Sequence, residues 1–92
     1  MLAAPADFAI SEQAISSGDY AAALQHLDTI RCEPSDALCS LRVPSMRGTA
    51  YLFMGRYVEA ESAFRAALVL ARAQRQSRRT IDLLNNLGTV RF

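Results

Sequence analysis

Hydrophobic residues recur along the chain at intervals of three and four, which is the spacing of one face of an α-helix. The clearest case begins at Tyr57, where polar side chains occupy the opposite face. The residues of the predicted apolar face are Tyr57, Ala60, Phe64, Ala67, Leu68 and Ala71. Gly55 precedes this segment, and glycine readily adopts the left-handed conformation that ends a helix. The pattern therefore predicts two helices joined by a turn at Gly55, the second extending to about Gln76.

The helix before that turn combines small and large residues. Gly48 and Ala50 are small, and Tyr51 lies one turn after Gly48. Because glycine inside a helix costs roughly 1 kcal/mol relative to alanine, we expect a packing reason for Gly48. The missing side chain should let the partner helix approach closely, while the Tyr51 ring fills the adjacent space.

A second copy of this pattern lies near the N-terminus. Residues 6–17 predict a short amphipathic helix that breaks at Gly18, and the following helix carries an apolar face of Tyr20, Ala23, Leu24, Leu27 and Ile30. The stretch 18–27 (GDYAAALQHL) matches 55–64 (GRYVEAESAF), with glycine, tyrosine, alanine and a large apolar residue at equivalent places. The chain therefore contains an internal repeat.

The connection between the two copies is predicted over residues 32–43. Residues 33–36 (EPSD) are typical of a turn, and Ser35 or Asp36 could cap a helix beginning at Ala37. Pro44 leaves two arrangements open. We favour a short turn that ends near Arg42, with Pro44 opening a new helix; the alternative is one helix that runs through Pro44 with a kink.

These residues resemble the tetratricopeptide repeat, whose pattern runs Trp-x2-Leu-Gly-x2-Tyr, then Ala-x3-Phe, then Pro. The spacings of Gly48 to Tyr51 and of Ala60 to Phe64 match that pattern. The places of the family's Trp, Leu and closing Pro are taken by Pro44, Arg47 and Arg72. The run 83–88 (LLNNLG) restarts the first-helix pattern, and it resembles the branch found in kinesin light chains and bacterial peptide-sensing regulators.

The resemblance implies an all-α fold in which antiparallel helix pairs stack as a short right-handed solenoid of about five helices. The predicted units are repeat one at about 6–31, the connection at about 32–43, repeat two at about 44–77 and a half repeat at about 78–92. It further implies a scaffold module for protein–protein or peptide binding, in which the first helices line a concave groove.

Candidate groove residues are those on the first helices that avoid the predicted packing face. They are Phe8, Glu12, Ile15, Arg42, Ser45, Thr49, Leu52, Phe53, Asp82, Asn85, Asn86 and Thr89. By resemblance, Asn86 matches a groove asparagine that pairs with a ligand backbone, and its amide offers both a donor and an acceptor. Arg42 could hold a carboxylate, although either residue could simply face solvent.

The half repeat predicts an open end. Ile81, Leu84 and Leu87 are expected to pack on the helix that begins at Tyr57, whereas Leu83 and Val90 face the place of an absent partner helix. The predicted homodimer interface comprises Leu83, Leu87, Val90 and Phe92. The scaffold function therefore has two alternatives. The chain could be a self-assembly unit, or it could be part of a transcriptional or signalling regulator.

Composition narrows the remaining possibilities. With 51% hydrophobic and 21% charged residues the 92-residue chain is globular, and a net charge of +1 argues against a domain that neutralises phosphates. No apolar run reaches membrane-spanning length, and no basic region precedes an apolar run at the N-terminus. We therefore expect no membrane partner and a cytoplasmic location.

Candidate chemistry is sparse. His26 has no nucleophile in a shared motif, and no glycine-rich phosphate loop occurs, so we expect neither an enzyme nor a cofactor. Cys32 and Cys39 lie seven residues apart, too far to bridge within one helix but close enough across a loop. We favour free thiols, and a loop disulfide or a metal site stays open. Arg72, Arg75, Arg78 and Arg79 are expected to form a solvated face. The alternative is an interaction patch for acidic groups or nucleic acid, but we do not expect nucleic acid as a partner, because no aromatic residue interleaves these arginines.

Overall fold

The computed structural model describes residues 5–75 and 77–90, and all regular elements within these ranges are α-helices. α1 spans Pro5–Ser16, α2 Tyr20–Thr29, α3 Ala37–Phe53, α4 Tyr57–Ala73 and α5 Ser77–Val90. The predicted all-α fold with about five helices is confirmed for this part of the chain. Each helix packs on the next, α1 also contacts α3, and the molecule measures 41 × 31 × 17 Å. This order of contacts fits stacked helix pairs, while the right-handed solenoid stays a prediction.

Residues in the left-handed conformation end three of the helices. Gly18 (φ +85°) follows α1 and Gly55 (φ +77°) follows α3, both as predicted. Arg75 (φ +57°) follows α4. That helix therefore ends at Ala73 rather than near Gln76, because a left-handed residue cannot continue a right-handed helix.

α3 runs without interruption from Ala37 through Pro44, so the prediction that a new helix opens at Pro44 is wrong. The Asp36 side chain caps the helix, and the side-chain amide of Gln74 donates a 2.8 Å hydrogen bond to the Ala37 carbonyl oxygen. Leu41 is fully buried in the same segment. These contacts keep the first turns helical although Pro44 has no N–H to donate. The connection from α2 to α3 accordingly covers residues 30–36.

At the start of α4 a carboxylate takes the place of a capping side chain. Arg56 precedes the helix and makes no side-chain cap, but its guanidinium pairs with Glu59 in the first turn. A hydrogen bond from its own backbone and the Arg56 guanidinium lower the pKa of the Glu59 carboxyl. The carboxylate therefore keeps its charge to a lower pH than an ordinary glutamate, and this negative charge suits the positive end of the helix dipole.

Gly48 of α3 faces Phe64 of α4, and the predicted close approach of two helices at this glycine is confirmed. A Cβ atom on Gly48 would lie 2.5 Å from both Cδ1 and Cε1 of the Phe64 ring. The ring cannot move aside easily, because Phe64 is only 1% exposed. Tyr51 packs against the same region, as predicted.

Two apolar clusters lie in the interior of the part of the chain that the structure describes. The C-terminal cluster lies among α3, α4 and α5 and consists of Leu41, Ala60, Phe64, Ala67, Leu68, Ala71, Leu83 and Leu87. The N-terminal cluster joins α1 and α2 to α3 and consists of Phe8, Leu27, Ile30 and Cys39. The apolar face predicted for α4 is confirmed except for Tyr57, which is 54% exposed.

α5 packs through a different face from the predicted one. Leu83 is 4% exposed and lies with Leu87 in the C-terminal cluster, whereas Leu84 is 45% exposed. Both the pair 83 and 87 and the pair 84 and 87 satisfy helical spacing, so only the contact with α4 selects between them. The side chain of Ile81 lies outside the described residues.

Candidate binding groove

A groove of about 360 Å³ lies between α1 and α3. We name it the α1–α3 groove, and its lining residues are Glu12, Ile15, Ser16, Met46 and Thr49. It thus combines two apolar side chains with two hydroxyls and one carboxylate. Clefts of roughly 300–1,000 Å³ that mix apolar walls with a few polar groups are typical of ligand sites.

The groove forms because each helix presents one face to it. On α1, Ile15 and Ser16 lie three and four positions after Glu12, and on α3 Thr49 lies three positions after Met46, so these residues are one helical turn apart. The two helices are not adjacent in the chain. α1 and α3, the first helices of the two predicted pairs, therefore supply one wall each, and α2 lies between them in the chain.

Ser45 and Thr49 of the predicted groove set use their hydroxyl protons within α3. Ser45 Oγ donates to the Leu41 carbonyl at 3.0 Å, and Thr49 Oγ1 donates to the Ser45 carbonyl at 3.1 Å. Their oxygen lone pairs stay able to accept hydrogen bonds. Thr49, which lines the groove, therefore offers a ligand an acceptor rather than a donor.

Arg42 already holds a carboxylate from its own chain. Its guanidinium forms an ion pair with Glu12 of α1 and lies 4.3 Å from the centroid of the Phe8 ring. Phe8 is buried in the N-terminal cluster, so its predicted place on the groove surface is wrong. An external carboxylate would have to displace Glu12 from Arg42.

A second ion pair, which joins α3 to α2, was not expected from the sequence. Arg47 of α3 pairs with Asp28 of α2 at 2.7 Å. Arg47 occupies the place of an apolar residue in the repeat pattern, and the opposite charge on the preceding helix was the only available signal. Both pairs link α3 to the N-terminal helices rather than offering free charges to a ligand.

The other predicted groove residues lie away from this groove. Phe53 ends α3 and stacks on Tyr20, with ring centroids 5.6 Å apart. Asp82 and Asn85 are exposed and Asn86 is half-buried on α5, which packs on α4. The side chain of Thr89 lies outside the described residues. The groove lining therefore does not bring the α5 candidates together with those of α1 and α3.

The predicted dimer interface is also changed by the structure. Leu83 and Leu87 are buried within the chain and cannot meet a second copy unless α5 moves. The side chain of Val90 and all of Phe92 lie outside the described residues. The homodimer itself stays a prediction, without the two leucines as its contacts.

An exposed apolar surface lies instead around the turn between α3 and α4. It consists of Phe53, Met54, Tyr57 and Val58, of which Val58 is 81% exposed. We name it the turn patch. The sequence pattern missed it because Tyr57 satisfies the spacing of the buried face of α4.

Cys32 and Cys39 form a disulfide, with Cα atoms 5.7 Å apart, so the favoured prediction of free thiols is wrong. Only Cys39 is helical, in the first turn of α3, and the connection brings Cys32 back to it. No group of three or more possible metal ligands occurs among the described residues. Disulfides are typical of oxidising compartments, and the cytoplasmic location stays a prediction that the bridge does not favour.

None of the helices in the described ranges has the length and apolar character that would cross a membrane. No protein-family model matches the chain, and no curated protein or solved structure matches it either. The resemblance to tetratricopeptide repeats accordingly stays a proposal that depends on the residue pattern and on the order of the helices.

Proposed function

We propose that this chain is a scaffold module of tetratricopeptide type that binds a peptide segment of a partner protein in the α1–α3 groove. The observation that carries the proposal is the groove itself, which opens between the first helices of two successive pairs. The close contact of Gly48 with Phe64 supports the same assignment, since it occurs at the glycine and phenylalanine of the repeat pattern.

The lining residues define the kind of segment that fits. Ile15 and Met46 can cover one apolar side chain of the ligand, and methionine adapts to side chains of different shape. The Thr49 oxygen can accept a hydrogen bond from a peptide N–H. Because Glu12 is already paired with Arg42, we expect apolar contacts rather than net charge to supply most of the affinity.

A selection from a phage-displayed library of random peptides tests this proposal. Ile15→Lys places a charge in the groove, and we expect it to weaken a selected peptide by about tenfold or more, since burying an unpaired charge is unfavourable. Ile10→Lys is the matched control, because Ile10 lies on the same helix but is exposed and does not line the groove. Fluorescence anisotropy gives both dissociation constants.

If both variants lose peptide affinity equally, or if only Ile10→Lys loses it, the peptide binds at a surface other than the α1–α3 groove. Asn86→Ala then reports whether the ligand reaches α5, as the predicted concave face requires. Circular dichroism of each variant checks that the helices are retained.

A second candidate function is self-association through the turn patch, which its exposed aromatic and apolar side chains favour. We expect light scattering at high micromolar concentration to show a dimer that Val58→Lys dissociates. Val69→Lys is the matched control, because Val69 is an exposed valine on the same helix but outside the turn. A monomeric wild-type chain would exclude this candidate, and a dimer insensitive to Val58→Lys would exclude the turn patch as its interface.

A further inference from the structure

The disulfide lies where the N-terminal helix pair, α1 with α2, meets α3. Cys32 is in the connection and Cys39 is in the first turn of α3. With the bridge closed, residues 30–31 alone separate the end of α2 from a covalent link to α3. When it is open, the path comprises residues 30–36. The bridge therefore restricts the freedom of the helix pair to move away from α3.

The apolar contacts across this junction form a smaller cluster than the one among α3, α4 and α5. Among the described residues the buried members of this N-terminal cluster are Phe8, Leu27, Ile30 and Cys39, one of which belongs to the bridge itself, and Val43 and Met46 of α3 pack against them while only partly buried. On α1 the hydroxyl of Ser11 is wholly buried without a hydrogen-bond partner, which weakens the packing of that helix.

Two ion pairs also cross this junction. Arg42 pairs with Glu12 and Arg47 with Asp28, and both acidic partners are more than half exposed. Such pairs contribute little stability and are screened by salt. The Arg42 guanidinium over the Phe8 ring and the stacked rings of Tyr20 and Phe53 are further contacts across the junction, and Phe53 is itself exposed.

The packing among α3, α4 and α5 does not include the bridge. The C-terminal cluster draws its eight buried residues from α3, α4 and α5, and neither cysteine belongs to it. It includes Phe64 and Leu41, which are both almost completely buried. α3 to α5 can therefore keep their packing when the contacts of α1 and α2 are lost.

We propose that the docking of the α1–α2 pair on α3 is controlled by the redox state of the Cys32–Cys39 bridge. The pair stays docked while the bridge is closed, and it is released when a dithiol reduces the bridge. A thiolate of the dithiol attacks Sγ of Cys32, the less buried of the two cysteines, and forms a mixed disulfide while Cys39 leaves as a thiolate and takes up a proton. The second thiol of the reductant then displaces Cys32 as its thiol. The chain gains two electrons and two protons, and the dithiol becomes a cyclic disulfide.

Release also removes one wall of the α1–α3 groove, since that wall is α1. The redox behaviour itself does not depend on any ligand of the groove. It would hold equally if the proposed peptide-binding function were wrong, because the measurement below involves no peptide.

Hydrogen exchange followed by mass spectrometry, on the full chain with and without dithiothreitol, tests the proposal. We expect the amides of α1 and α2 to exchange at least about tenfold faster after reduction, and those of residues 60–71 in α4 to change much less. The double variant Cys32→Ala, Cys39→Ala should resemble the reduced chain and should not respond to dithiothreitol, which controls for other effects of the reagent.

Three results would overturn the proposal. Alkylation of the unreduced chain at two thiols would show that the bridge does not form in solution. Equal acceleration of exchange in all five helices would show one cooperative unit, and unchanged exchange in α1 and α2 would show that docking does not need the bridge.

Discussion

Phe64→Ala should lower the free energy of unfolding by about 3–5 kcal/mol, the usual cost of removing a buried phenylalanine ring. That loss is a large fraction of the roughly 5–15 kcal/mol that stabilises a typical domain. The ring is central to the C-terminal cluster and is held against the backbone of α3 at Gly48. Urea unfolding followed by circular dichroism measures the effect, and an unchanged midpoint would contradict the position of Phe64 in the core.

A second test uses Gly48, because substitutions at Gly48 and Phe64 should be energetically coupled. Gly48→Ala gains about 1 kcal/mol of helix propensity but places a Cβ where the ring lies, and such overpacking costs about 1–3 kcal/mol or more. We therefore expect net destabilisation in the wild-type background. With Phe64→Ala or the milder Phe64→Leu, the new methyl group has space, so the penalty should fall or change sign.

Gly88→Ala is the matched control for Gly48→Ala. Gly88 occupies the equivalent place in the half repeat, but a Cβ there would meet nothing within 4 Å. We expect this substitution to stabilise the chain by up to about 1 kcal/mol through helix propensity. If the two alanines had the same effect, the close approach of α4 to Gly48 would not be the reason for the glycine.

Leu83→Glu should detach α5 from the C-terminal cluster and lower the free energy of unfolding of the whole chain. The substitution removes the burial of a leucine, worth about 1.5–3 kcal/mol, and places an unpaired carboxylate in the C-terminal cluster. Leu84→Glu is the control on the neighbouring position, where the side chain is exposed and the effect should stay within about 0.5 kcal/mol.

Thermal denaturation of both variants, followed by circular dichroism, distinguishes the two faces of α5. The sequence pattern alone predicts the opposite outcome, in which Leu84→Glu is the harmful change. Equal melting temperatures for the two variants would mean that α5 does not pack through either leucine in solution.

Short-range chemistry explains which predictions were confirmed. Gly18 and Gly55 end helices because their backbone preference needs no distant partner, and Asp36 caps α3 through its own neighbours. The buried face of α4 follows from a strong separation of alanines and phenylalanine from charged residues. Gly48 was informative because its cost in a helix requires compensation from another part of the structure.

The α1–α3 groove was predicted only in part. Of the predicted residues, Thr49 of α3 and Glu12 and Ile15 of α1 line the groove, whereas Ser45 does not. Met46 and Ser16 were missed, because nothing in their spacing separates a groove residue from an ordinary half-buried one. Arg42 was predicted either to hold a ligand carboxylate or to face solvent, but its partner, Glu12, comes from thirty residues earlier in the chain.

The sequence by itself determined that the chain is helical, where four of its helices begin or end, and which face of α4 is buried, since these depend on interactions within a few residues. The tertiary structure alone decided the continuous α3, the disulfide, the buried face of α5 and the partners of Arg42 and Arg47. Each of these required a choice between local arrangements of similar free energy. Apart from the disulfide, whose cysteines lie only seven residues apart, contacts between residues far apart in the chain make that choice, and helical periodicity carries no information about them.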